Sequence, residues 1–252
     1  MMPSLQEELF KFTHQKIFVG GILTLLLLMS YSALTIEMST TQHIFEFGAV
    51  QWIHIIGIAV GSAFFAMEYQ HHTILILLYK TTNKWQIYLA KLLVVWVYSM
   101  VLILIAALFT VILKFLLVGQ QYAWLAPVID HQTRLALLLG NSLGTLVYAL
   151  FIVTLAFMLI MLLRLNAAVI GVGLSMGFMG AGFSVALMKS FASLVPIIRW
   201  NPLNMIFVTQ QLANPPYAAV SHLSNGEIIG GNIIYAIIFT ILGYYLFKHR
   251  RI

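Results

Sequence analysis

The chain has no cysteine, and only 8% of its residues are Asp, Glu, Lys or Arg. The first absence excludes disulfides, thiolate metal centres and cysteine nucleophiles. The second excludes an ordinary soluble domain, in which about a quarter of residues are charged. A G-x-x-x-x-G-K-[ST] loop is also missing, so the chain has no phosphate cradle of that kind for ATP. The few charges are biased in sign, 13 basic against 7 acidic. On a soluble chain that excess would suggest nucleic acid; here it reads as membrane topology. What is abundant is apolar: 62% of the residues are hydrophobic and the mean hydropathy is +0.98. That is more apolar surface than a soluble domain can bury, and it implies an all-α integral membrane protein.

A membrane-crossing helix takes about 20 mostly apolar residues. Six windows fit, near 17–36, 50–67, 92–113, 135–163, 167–188 and 228–247, forming one transmembrane domain over 1–252. Only Arg164, Leu165 and Asn166 separate the fourth window from the fifth, which requires a tight helical hairpin. The first window is too long for the apolar core of a signal peptide and lacks an A-x-A cleavage pattern, so it is expected to stay attached.

Six spans place both termini on one side, and the basic residues say which. Nine of them (Lys11, Lys16, Lys80, Lys84, Lys91, Arg164, Lys248, Arg250 and Arg251) fall on the side of the termini, against four (Lys114, Arg134, Lys189 and Arg199) on the other. Cytoplasmic segments are enriched in Lys and Arg, so both termini and the 68–91 segment are expected in the cytoplasm of a multi-pass cell-membrane protein. Residues 1–16 read as a short amphipathic interfacial helix. Ser4 and Glu7 have capping-box spacing, Leu5, Leu9 and Phe12 share a face, and Glu7 and Lys11 stand four apart on the polar side.

Between the second and third windows the polar interruption 68–91 concentrates Glu68, Lys80, Lys84 and Lys91 in a chain poor in charge. Its apolar stretch 74–78 is too short to cross, and Thr81, Thr82 and Asn83 break the pattern and can cap a helix starting near Lys84. A short helix along the cytoplasmic face followed by a turn satisfies both features. The sequence here resembles the type 2 ABC exporter permeases: an amphipathic N-terminal helix, six spans, Glu68 closing span two, Thr73 with the 75–78 leucine-rich run, the polar break 80–83, then Trp85 and Lys91 opening span three. The family usually has Gly before the Thr, where this chain has His72.

The resemblance implies a coupling helix that docks on a separate ATPase subunit. It makes Glu68, His71, His72, Thr73, Tyr79, Lys80, Thr81, Thr82, Lys84 and Trp85 the candidate contact residues. It further implies a permease that pairs with a second copy of itself or a related permease, binds no cofactor, and leaves ATP and Mg to the partner. The implied cargo is amphipathic or hydrophobic: a peptide toxin, an antimicrobial peptide or an antibiotic, moved out of the cell. The 189–227 segment carries Pro196, Pro202, Pro215 and Pro216 between apolar patches. By the same resemblance it forms short helices dipping back toward the membrane as an external lid, with Trp200, Asn201 and Pro202 at the Pro motif.

Other motifs are weaker. Gly173 to Gly177 spell G-x-S-x-G around Ser175, but inside an apolar helix, with His54 the one histidine within a span. The pairs Gly57 and Gly61, Gly140 and Gly144, and Gly173 and Gly177 read instead as G-x-x-x-G packing sites, within one subunit or across a dimer. His71 and His72 after Glu68 do not follow a metal-site spacing, and no metal is expected. Glu46, Glu68, Lys91 and Lys114 sit at span ends, and the polar residues within spans are mild, such as Asn141, Ser142, Thr145 and Ser184. That argues against a proton-driven carrier. A non-transporting accessory or sensor protein is the alternative reading, and an intramembrane enzyme is a distant third.

Overall fold

The computed structural model describes residues 2–35, 46–70, 84–119, 122–129 and 132–249. Seven main helices run through them: α1 Met2–Thr13, α2 Lys16–Thr35, α3 Ala49–Gln70, α4 Lys84–Val118, α5 Arg134–Leu163, α6 Asn166–Ser190 and α7 Asn225–Lys248. The last six are long and apolar enough to cross a membrane, so the chain is a multi-pass helical bundle.

The bundle is organised around α5, which packs against α3, α4, α6 and α7. In the most apolar stretch of α5, 61% of residues are buried, against 22% for α6 and 28% for α2 and α7. The outer helices therefore present Leu, Ile, Val and Phe outward, as lipid-facing helices do. The break between α5 and α6 is as tight as the sequence requires. Arg164 adopts the left-handed conformation (φ 60°) and its N–H still bonds the carbonyl of Ile160, so the chain turns within two residues.

Helix α4 begins at Lys84, the position at which the polar break permits a start, and runs 35 residues. At ~1.5 Å per residue that is ~52 Å, well beyond the ~30 Å hydrocarbon thickness, so it overruns the bilayer. Past its far end the sequence reading contains no strand, yet Pro127–Ile129 (β1) pairs antiparallel with Gln132–Thr133 (β2). Thr133 then caps α5 by accepting from the Ala136 N–H at 3.3 Å.

Two ends can be distinguished. At the basal end α1 lies against α4, and aromatic rings fill the space between helices. Phe12 of α1 meets Phe64 at 5.0 Å and Tyr98 at 5.1 Å, both edge-on. Tyr88 sits among Phe157, Tyr244 and Phe247, with centroids about 6 Å apart. The sequence face of Leu5, Leu9 and Phe12 is revised: Phe12 is buried together with Glu8, while Leu9 and Phe10 stay exposed.

At the distal end the segment between α6 and α7 is a series of short helical turns, Ala192–Leu194, Val195–Ile198, Pro202–Phe207, Val208–Gln211, Pro215–Tyr217 and Ala218–Ser221. It does not run outside the bundle as a linker. Val208–Gln211 packs on α5, and Pro202–Phe207 on α6.

Candidate functional site

The distal insertion is possible because α5 has no side chain where the insertion approaches. A methyl group at Gly144 would overlap the Val208 carbonyl oxygen, and one at Gly140 would lie 2.8 Å from the Leu212 oxygen. Backbone meets backbone there, a contact only glycine admits. The other glycine pairs also pack inside this one chain: Gly57 and Gly61 face Ser99 and Val95 of α4, and Gly173 and Gly177 face Ile58 and Ile55 of α3.

Buried amides and hydroxyls fasten the inserted segment. Asn201 caps the Pro202–Phe207 turn, its side chain accepting from the Asn204 N–H at 3.0 Å. Ser184 of α6 donates to Asn204 Oδ1 at 3.0 Å and accepts from Asn201 Nδ2 at 3.0 Å. Asn204 Nδ2 donates in turn to the Ser221 carbonyl at 2.8 Å. Gln211 Nε2 bonds the Leu223 carbonyl at 2.9 Å, Asn232 Nδ2 the Met205 carbonyl at 3.2 Å, and the Tyr235 hydroxyl the Trp200 carbonyl at 2.7 Å. Non-helical backbone at such a level is tolerated where protein satisfies its polar groups. Trp200, Asn201 and Pro202 thus form the entry to the insertion. Asn204, Gln211, Ser221 and Asn232, which complete it, are all within 1% of full burial.

Beneath the insertion lies a cavity of about 330 Å³, walled by α3, α5, α6 and residues 206–210. Its lining is mixed: Gln51, His54, Asn141, Thr209 and Gln210 among apolar residues that include Tyr148 and Phe178. No described lining residue is Lys, Arg, Asp or Glu. Gln51 Nε2 donates to the Gly177 carbonyl at 3.3 Å, and His54 approaches the Thr145 carbonyl at 3.4 Å with its ring edge-on to Tyr148. Asn141 differs from these. It is completely buried, and neither its Oδ1 nor its Nδ2 has a hydrogen-bond partner among the described residues.

The entrance to α3 beside the cavity is also unusual. Glu46, Phe47 and Gly48 are consecutively left-handed, with φ of 53°, 49° and 78°. For the two non-glycine residues this costs roughly 1–2 kcal/mol each, so the surroundings must hold the turn. Ser142 of α5 donates to the buried Glu46 carboxylate, and Phe47 is 3% exposed. The second carboxylate oxygen of Glu46 has no partner among the described residues. Strained backbone and unpartnered buried polar atoms persist together where something other than stability has selected them.

At the basal end the charges are satisfied. Lys91 of α4 has no exposed surface, pairs with Glu8 of α1 and lies 4.2 Å from the Phe64 ring centroid. Glu8 also accepts from Lys11 at 3.2 Å. Standing at a span end thus does not expose a charge: Glu46 and Lys91 are fully buried, and Lys114 is 5% exposed.

The residues read from the sequence as an ATPase contact divide here. Glu68 lies in the last turn of α3, and Lys84 and Trp85 open α4, where Trp85 stands edge-on to Tyr244 at 4.5 Å. His71, His72, Thr73, Tyr79, Lys80, Thr81 and Thr82 lie outside the described residues. Ser175 bonds the Gly171 carbonyl one turn back at 2.9 Å, an intrahelical contact with no base beside it among the described hydrogen bonds. No group of three or more His, Asp or Glu that could hold a metal occurs among the described residues. Comparison with protein-family models finds no match, and neither does comparison with curated proteins.

Proposed function

We propose that the chain is the permease subunit of an ABC exporter, with both termini in the cytoplasm, working as a dimer with a separate ATPase to move an amphipathic or hydrophobic cargo outward. The observation that carries the reading is the buried Glu8–Lys91 pair. It fastens the amphipathic N-terminal helix to the first turns of α4, at the C-terminal end of the polar 68–91 interruption. A push on that interruption would be delivered to a stiff, aromatic-packed base rather than absorbed by a loose loop. Helix α4 is continuous from Lys84 to Val118 and can pass the displacement along the bundle.

At the other end the cavity provides a place for cargo. Its lining is uncharged, in keeping with an apolar molecule that carries a few hydrogen-bonding groups. The insertion that closes it hangs on hydrogen bonds and on contacts with α5, α6 and α7, and would act as a lid when those helices shift. These 252 residues contain no Walker-type loop, in keeping with the reading that a separate ATPase supplies the energy.

Affinity capture of the tagged protein from its native membrane tests the reading directly. An ATPase should co-purify, and Lys80→Glu with Lys84→Glu should release it and abolish cargo-stimulated ATP hydrolysis. A chain that brings down no ATPase would instead be a non-transporting accessory protein.

A further inference from the structure

Two buried cations flank the connection from α4 to α5, Lys114 near the end of α4 and Arg134 at the start of α5, and neither has an ion-pair partner among the described residues. Arg134 is 8% exposed and has local compensation: it donates to the Ala123 carbonyl at 3.3 Å and lies 5.3 Å from the Tyr122 ring. Lys114, 5% exposed, has among the described residues the face of Trp124, at 5.1 Å. No described oxygen accepts from its ammonium. A cation near the edge of a bilayer normally snorkels to water or finds a counter-ion, because burying it alone is costly.

Lys114 instead lines a recess of about 560 Å³, together with Val111, Phe115, Gly119, Ala123, Trp124 and Leu125. The recess pairs one positive charge with an apolar rim. Phe115, on α4, a helix long and apolar enough to cross a membrane, is 71% exposed, and Leu125, in the turn that follows it, is 75% exposed. A small soluble anion would use the ammonium and leave that rim in contact with nothing. A molecule with an anionic head and an apolar body would use both.

The geometry points to a binding site for an anionic phospholipid, with its phosphodiester on Lys114 under the Trp124 ring and its acyl chains along Val111 and Phe115. Aromatic rings favour the headgroup level, and a cation held at that level attracts the phosphate of an anionic headgroup. The site is separate from the distal cavity, shares no lining residue with it, and does not depend on the exporter reading.

Thermal unfolding of the purified full-length protein in neutral detergent, with lipids added, provides the test. Dioleoyl phosphatidylglycerol should raise the midpoint by several degrees, whereas dioleoylglycerol, which lacks the phosphate, and inorganic phosphate should not. Lys114→Arg should keep the shift and Lys114→Gln should lose it. Native mass spectrometry should show one tightly retained phosphatidylglycerol on the unsubstituted protein, with retention falling about tenfold in Lys114→Gln if a single charge-assisted contact worth that factor is removed. A shift that survives undiminished in Lys114→Gln, or that dioleoylglycerol reproduces, overturns the assignment. So does a shift produced in full by inorganic phosphate, which would mark a soluble-anion site. Should Lys114→Gln fail to fold, equal retention of dioleoylglycerol and phosphatidylglycerol by the unsubstituted protein would overturn it as well.

Discussion

The basal and distal ends of the bundle place charge and polarity in opposite ways. At the base, the buried lysine has a carboxylate, the carboxylate has a second lysine, and edge-on rings fill the remaining volume. At the distal end, among the described residues, a buried carboxylate has one donor for two oxygens and a buried asparagine has no partner, and the chain enters α3 through three left-handed residues. A polar network whose members are satisfied rigidifies its surroundings, and one left incomplete costs free energy wherever it stands. The base is not free of gaps, since Tyr88 Oη and Gln15 Oε1 are buried with no hydrogen-bond partner among the described residues, so the contrast holds for the buried charges and for Asn141. On the exporter reading proposed above, it would suit a base that transmits force and a distal cavity that receives cargo.

The contrast is most exposed to attack at Lys91. Replacement by Met leaves the buried Glu8 with the part-exposed Lys11 as its remaining described ion-pair partner, and breaking a buried pair costs up to about 3–5 kcal/mol. Thermal or denaturant unfolding should show a loss of that size, and the Glu8→Leu, Lys91→Met double variant should recover most of it. If Lys91→Met alone is neutral, the base is not fastened by this pair. Gly144→Val ranks next. The added side chain meets the Val208 carbonyl, where neither backbone can yield, and overpacking of this kind costs about 1–3 kcal/mol or more. Limited proteolysis should then cut within 212–224 faster than in the parent, because the insertion is displaced while the base is untouched. Ser142→Ala should cost somewhat less, about 1–3 kcal/mol, by removing the one donor seen at Glu46. An unchanged unfolding midpoint would mean that the left-handed turn is held by Phe47 alone.

How much of this was legible depends on whether the information was local. The six spans follow from length and apolarity, and the Arg164 hairpin and the start of α4 at Lys84 follow from polar breaks. Ser224 and Glu227 show the S-x-x-E capping signature, and the reciprocal bonds are present at the start of α7. The sites were less legible because their partners are distant in sequence. Glu7 and Lys11 have the spacing of a helical pair, yet the residue that turns inward is Glu8, toward a lysine 83 positions away. Gly140 and Gly144 have helix-packing spacing, but what they admit is the backbone of residues 208–213, and nothing in α5 states that. Gly48 hints at a left-handed turn; Glu46 and Phe47 give no sign that they share it.

Asn141 offers the sharpest test of the contrast because stability and function should move in opposite directions. A buried amide with neither atom bonded costs about 1–3 kcal/mol, and an apolar side chain of similar volume removes that cost. Asn141→Leu should therefore unfold at the same or a higher temperature than the parent, by up to the equivalent of that figure. If the amide is retained to meet a hydrogen-bonding group on cargo, the same variant should respond less to cargo, read as cargo-stimulated hydrolysis by the partner ATPase. A stabilised variant with undiminished response would leave the cavity without a role in recognition. A destabilised one would mean that the amide is bonded within the wall after all, and the contrast would then rest on Glu46 alone.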